Sequence, residues 1–264
     1  DAGYKGIELG PVGFMPEDPE ILSVALEKFD LELIGGVVFR AYHDEKQWED
    51  VLDGTHRTCK ALVAHGAKHL VLIDSISERR APTAGRVNEA EQMSKEEWYS
   101  YRERITTSAR IGAEEYGLTV GIHAHAAGFM DFEPELERLL SEVDEEILKI
   151  CFDTGHHSYA GFDPVEFMQK YISRISYMHF KDIDPKVKQK VLDNRTGFYD
   201  ACGQGIFCNL GDGDVDFPTV RKILLENNFE GWCTVEQDCD PLLDPNPLSD
   251  AQLNREYLET IGFK

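Results

Sequence analysis

Leu148-Lys149-Ile150-Cys151-Phe152-Asp153-Thr154-Gly155-His156 begins as a short, nearly all-apolar run and ends on an acid, a tight turn and a histidine. So continuous an apolar run reads as a strand buried on both faces, the kind found in a parallel sheet covered by helices. Similar runs lie on either side: Tyr4–Leu9, Leu33–Phe39, His69–Ile73 and Thr119–His125 before it, Ile175–Phe180 and Trp232–Glu236 after it. Their starts fall 27–57 residues apart. About 30 residues hold one strand–helix unit, and longer intervals imply inserted loops.

The stretches between the runs carry helix signals. Asp18-Pro19 offers an N-cap and a proline at the first helical position, with Ile21, Leu22, Ala25 and Phe29 at core-facing spacing. Ser94 and Glu97 form a capping-box pair ahead of a polar helix. Asp163-Pro164 opens another, and Asp216 caps the helix that carries Val220, Ile223 and Leu224. Strands alternating with helices, with no break in composition, predict a single (β/α)8 TIM barrel domain over residues 1–264. Seven strands are legible. The sequence starts at Asp1 and enters a strand almost at once, so the expectation is that a first strand and helix are missing from it. The rival, an open doubly wound sheet, should show a glycine-rich phosphate loop after its first strand, and Gly10-Pro11-Val12-Gly13 is not one.

Composition narrows the function. The 264 residues are 42 % hydrophobic and 29 % charged, with a net charge of −22. A surface that negative repels nucleic acid and anionic membranes as partners. No apolar run reaches the roughly 20 residues that span a bilayer, and no signal-peptide pattern is visible. The six cysteines include no CxxC pair, so they read as reduced thiols of a cytoplasmic protein rather than a disulfide scaffold or zinc knuckle.

In parallel α/β architectures chemistry sits at the C-terminal ends of the strands. Those ends offer Glu8, Asp74, His123 with His125, Asp153 with His156, His179 with Lys181, and Glu236. Each has a bland reading. Asp153 could be an Asx turn or helix cap, His179 a satisfied core histidine, Glu236 half of a salt bridge, and one of the same-face pair His123 and His125 only a hydrogen-bonding neighbour. Against these stand the histidine three residues after Asp153 and the face that His179 shares with Lys181, since a buried lysine needs a partner or a task. Gln237 and Asp238, in the following loop, are weaker candidates. Gly211-Asp212-Gly213-Asp214 lacks the lysine of a P-loop and the acidic spacing of a calcium loop, and reads as a turn into the Asp216 cap.

Together, Asp153-x-x-His156, His179-x-Lys181-Asp182, the Gly211 turn and Glu236 resemble the xylose isomerase-like barrel superfamily. More narrowly, Gly6–Pro11, Asp153–Gly161, His179–Asp182 and Gly231–Asp238 resemble the inosose dehydratases, in order along nearly the whole chain. The resemblance implies one divalent ion, Mn²⁺ or Co²⁺ before Zn²⁺, Mg²⁺ or Fe²⁺, held by Asp153, His179 and Glu236. His123 stands at the fourth position, where the superfamily usually has a glutamate. With one carboxylate replaced, Glu236 is left as the base for proton abstraction beside a ketone, and His156 or Lys181 as acid or charge partner. The implied substrate is a small keto-sugar or keto-cyclitol and the reaction a dehydration. A sugar isomerase or epimerase, a lyase acting on 3-keto-glycosides, and a non-catalytic sugar-binding barrel are the alternatives, and assembly into a homo-oligomer is left open. DNA repair of the endonuclease IV kind conflicts with the charge.

Overall fold

The computed structural model describes residues 2–240, 242 and 246–263. All seven anticipated strands form: β1 (Gly6–Leu9), β2 (Glu32–Arg40), β3 (His69–Asp74), β4 (Thr119–His123), β5 (Lys149–Asp153), β6 (Ile175–Phe180) and, after the inserted pair β7 (Asp182–Ile183) and β8 (Phe207–Cys208), β9 (Cys233–Val235). β1 to β6 and β9 pair in parallel in that order and curl into a nearly closed TIM barrel. β1 and β9 come close but do not pair, and the Trp232 ring lies against Gly6 across this seam. Helices α1 (Pro19–Phe29), α2 (Trp48–Ala64), α3 (Lys95–Arg110), α4 (Glu133–Glu142), α6 (Pro164–Tyr171) and α9 (Phe217–Glu226) alternate with the barrel strands. The short α5 (Thr154–Tyr159) follows β5 directly, α7 (Pro185–Asp193) and α8 (Phe198–Gly203) lie in the insertion, and α10 (Pro247–Thr260) closes the chain.

Alternation along the strands, reset in β2 by a register shift at Ile34, divides the strand residues between two cores. Outward-facing Leu33, Val38, Leu70, Leu72, Ile122, Ile150 and Met178 pack under the helices. Inward-facing Ile34, Val37, Val71, Ile73, Cys151 and Tyr177 fill the barrel. Continuing the inward set toward the C-terminal ends brings polar residues to the mouth: His123 beyond Gly121, Asp153 beyond Cys151 and His179 beyond Tyr177, with Asp153 in register with His179.

The helix caps follow the sequence. Asp18 accepts from Glu20 and Ile21 N–H, Ser94 and Glu97 close a reciprocal capping box, and Asp216 accepts from Thr219 N–H. Two details of α1 differ. Leu22 and Leu26 form its buried stripe, whereas Ile21 and Phe29, expected to face the core, are each 58 % exposed. Ile21 sits one position off the stripe, and Phe29 continues it only to the last helical residue, where it meets the seam cavity. The fourth strand also ends at His123, two residues earlier than expected, leaving His125 in the following turn. The Gly211 turn is held from outside: the Asp182 carboxylate accepts the N–H groups of Ile183, Gly211, Gly213 and Val215 at 2.8–3.2 Å.

Candidate active site

Asp153 divides its two oxygens between the cap weighed for it and the barrel mouth. Its Oδ1 caps α5 by accepting the His156 N–H at 2.7 Å. Its Oδ2, fully buried, has no hydrogen-bond partner and lies 3.4 Å from His123 Nε2. Both His123 nitrogens and His179 Nδ1 are likewise buried without a hydrogen bond. Leaving polar atoms so exposed to desolvation is costly, and native interiors avoid it unless something else satisfies them. His123, Asp153, His179 and Glu236 each offer one ligand atom, all within 4.8 Å of one another. This convergence of nitrogen and carboxylate oxygen is a site that could take a divalent ion.

The orientation of His179 is set by its far edge. Its Nε2 donates to Glu8 Oε2 at 3.0 Å, which turns Nδ1 toward Glu236 Oε2 at 3.2 Å. A carboxylate behind the ring in this way fixes the tautomer and leaves the other nitrogen bare for a ligand. Burial favours the neutral ring, but the neighbouring Cys151, Glu236 and Glu8 outweigh it and raise the His179 pKa well above its ordinary value.

Lys181 lies in the interior with His179, as their shared face predicts, and is 1 % exposed. Its ammonium stands 3.0 Å from Asp238, 3.3 Å from Glu236 and 3.6 Å from Asp153. Burial would push its pKa down, yet Asp238, Asp153 and Glu236 hold it above the usual lysine range. Burial pushes Glu236 up, but His179 and Lys181 prevail and keep it below the usual carboxylate range. Asp238 behaves in the same way, with Lys181 and His156 prevailing. The close approach of the Lys181 stem depends on Gly155, where a Cβ would lie 2.6 Å from Lys181 Cγ. Three carboxylates, Asp153, Glu236 and Asp238, surround one lysine, and Glu8 stands behind His179, so the pocket carries excess negative charge suited to a cation.

His156 is fully buried beside Lys181, with Nε2 3.0 Å from the ammonium and 3.4 Å from Asp238 Oδ2. His125, His156 and Asp238 form a second compact set of ligand atoms, also within 4.8 Å. Asp238, ranked low as a loop residue, therefore belongs to the centre; the available signal was its position two residues past Glu236. Asp74 does not join the cluster. Its carboxylate accepts from the His43 N–H at 3.1 Å and the Phe129 N–H at 2.8 Å, and contacts His43 Nδ1 at 2.8 Å, which ties loops together. The insertion between β6 and β9 shapes the mouth: Phe207 packs on His156 and under the Lys181 ammonium, and Phe198 packs on His125. Nothing local in the sequence marked these two rings. A cavity of about 1190 Å³ runs from His125, Lys181, Glu236 and Asp238 along the seam.

The family model for the xylose isomerase-like TIM barrel matches residues 1–261. An inosose dehydratase of Clostridium botulinum is 32 % identical over 263 residues, covering 98 % of this chain and 85 % of that protein. Among solved structures, the probable 3-DHS dehydratase AsbF of Bacillus anthracis superposes with a TM-score of 0.73 at 18 % identity, covering 98 % of this chain and 89 % of that one. The IOLI protein, solved with a zinc atom, superposes with a TM-score of 0.69 at 16 % identity over 98 % and 88 % of the two chains.

Proposed function

The chain belongs to the xylose isomerase-like TIM barrel family, and from that premise we propose that it is a hydro-lyase dehydrating a keto-cyclitol such as 2-keto-myo-inositol to a diketone. The inosose dehydratases related to it along nearly its whole length support this reading. The observation that carries it is the convergence of His123, Asp153, His179 and Glu236 beside a buried lysine. These four residues would hold one divalent ion, Mn²⁺ or Co²⁺ by their mixed nitrogen and oxygen character, which would supply Lewis-acid polarisation of the substrate ketone.

The chain's own groups divide the remaining work. Glu236 lines the cavity and is held ionised, so its carboxylate can take the proton from the carbon beside the ketone. Lys181, held cationic, neutralises the oxyanion that this creates. His156 or Lys181 delivers a proton to the β-hydroxyl as it leaves. Glu8 reaches the site but is engaged by His179 and is 7 % exposed, so it is not a free second base. The thiols of Cys59, Cys151, Cys202, Cys208 and Cys233 fit the reducing conditions of a cytoplasm, and no described helix is long and apolar enough to cross a membrane.

The deciding experiment is turnover of 2-keto-myo-inositol by the metal-loaded protein in D₂O. Both product and deuterium in recovered substrate are followed, and ketoses and 3-keto-glycosides run in parallel. Diketone should form from the inosose. Glu236→Gln should lower turnover by about 10²–10⁴-fold, the usual contribution of a general base. Epimerisation of a ketose with no dehydrated product from any inosose would replace this reading with the isomerase one.

A further inference from the structure

Ala126 makes a backbone contact with each of His125 and His156, and the one to His125 fixes where that ring carries its proton. Its N–H donates to His156 Nδ1 at 3.2 Å, and its carbonyl lies 2.9 Å from His125 Nδ1. A backbone N–H can only donate, and so can the Lys181 ammonium 3.0 Å from His156 Nε2, so His156 meets a donor at each ring nitrogen. A carbonyl can only accept, so His125 Nδ1 carries the proton and Nε2 is the bare nitrogen. The two rings lie with centres 4.0 Å apart. His156 Nε2 faces the Lys181 ammonium at 3.0 Å and Asp238 Oδ2 at 3.4 Å. His125 is only partly buried, lines the cavity, and is held in plane by edge contacts with Phe39 and Phe198.

We propose that His125 Nε2 accepts a hydrogen bond from one ring hydroxyl of the substrate, making His125 a specificity residue of the dehydratase reading, on which this inference rests. A polyol hydroxyl must both give and take a hydrogen bond. Lys181 can donate, but the carboxylates Asp153, Glu236 and Asp238 are already drawn to that lysine. His125 supplies the acceptor that remains. The Lys181 ammonium already engages His156 Nε2, which argues against a second ion between His125, His156 and Asp238, since two ligands alone hold one weakly.

The test compares the wild-type protein with His125→Phe, which keeps the ring contacts without the acceptor, and His125→Gln, which keeps an acceptor. Each is assayed on 2-keto-myo-inositol and its monodeoxy analogues. The wild type should disfavour one deoxy position by about ten- to hundredfold in kcat/KM, the cost of leaving a buried partner unmatched. His125→Phe should lose that discrimination, mainly through KM, while His125→Gln retains part of it. All three should bind a single equivalent of Co²⁺. Identical penalties in wild type and His125→Phe at every position would overturn the assignment. So would two equivalents of Co²⁺ in the wild type falling to one in His125→Phe. Should no inosose be dehydrated at all, the dehydratase reading fails separately. Calorimetric binding of 2-keto-myo-inositol then decides on His125, with equal affinity in wild type and His125→Phe counting against it.

Discussion

Glu8 bears on ion binding without being counted among the four ligand groups. Its carboxylate holds His179 from behind, and losing such an orienting partner typically weakens metal affinity 10- to 100-fold. Glu8→Gln should therefore weaken Co²⁺ binding within that range in a spectroscopic titration, with the circular dichroism of the fold unchanged. Asp131 gives a different kind of prediction. Burial, only partly offset by Arg80, pushes its carboxyl up to about 7, while Oδ2 accepts the Ala127 N–H at 3.0 Å. In the unfolded chain an aspartate titrates near 4, so between about pH 4 and 7 the folded state holds the extra proton and stability falls as pH rises. The linked loss is on the order of 4 kcal/mol across that window. Asp131→Asn can still accept from Ala127, and its urea midpoints should lack this fall and exceed those of the wild type at pH 8. At this scale Asp153, His179, Lys181 and Glu236 were legible because each stands at or just past the end of a strand on an inward position, and His156 because it follows Asp153 by three residues. His43 and the engagement of Glu8 were not, since both depend on contacts between residues far apart in sequence.

The barrel strands could be read because burial on both faces writes them as apolar runs, and the helices because their caps and prolines are local. β7 and β8 could not, for two residues carry no period, and they exist because Asp182 gathers distant N–H groups onto one carboxylate. That staple predicts an energy. Asp182→Ala deprives Ile183, Gly211, Gly213 and Val215 of their acceptor, and with about 1–3 kcal/mol for each donor left dry, less what water recovers, the loss should be about 3–5 kcal/mol. Chemical denaturation measures it directly; a loss under about 1 kcal/mol would mean that the turn holds itself. The misjudged flank of α1 has a similar origin. Helical spacing says which residues share a face, but where that face ends is decided by the neighbouring element.

Across the whole molecule the sheet is a rolled strip whose lips, β1 and β9, nearly meet. A strip differs mechanically from a hoop, because it can begin to peel from its margins. Amides of β1 and β9 should accordingly exchange with deuterium ahead of those of β3, β4 and β5, which are hydrogen-bonded on both sides. The ring of His179 reaches Glu8 on one lip through Nε2 and faces Glu236, at the end of the other, through Nδ1. It is a clasp. Occupying the ligand cluster should draw that clasp tight, so adding Co²⁺ is expected to slow exchange at both margins together while leaving the mid-sheet amides where they were. Exchange mass spectrometry with and without the ion reads this out, and slowing confined to β9 would mean that the two lips move independently.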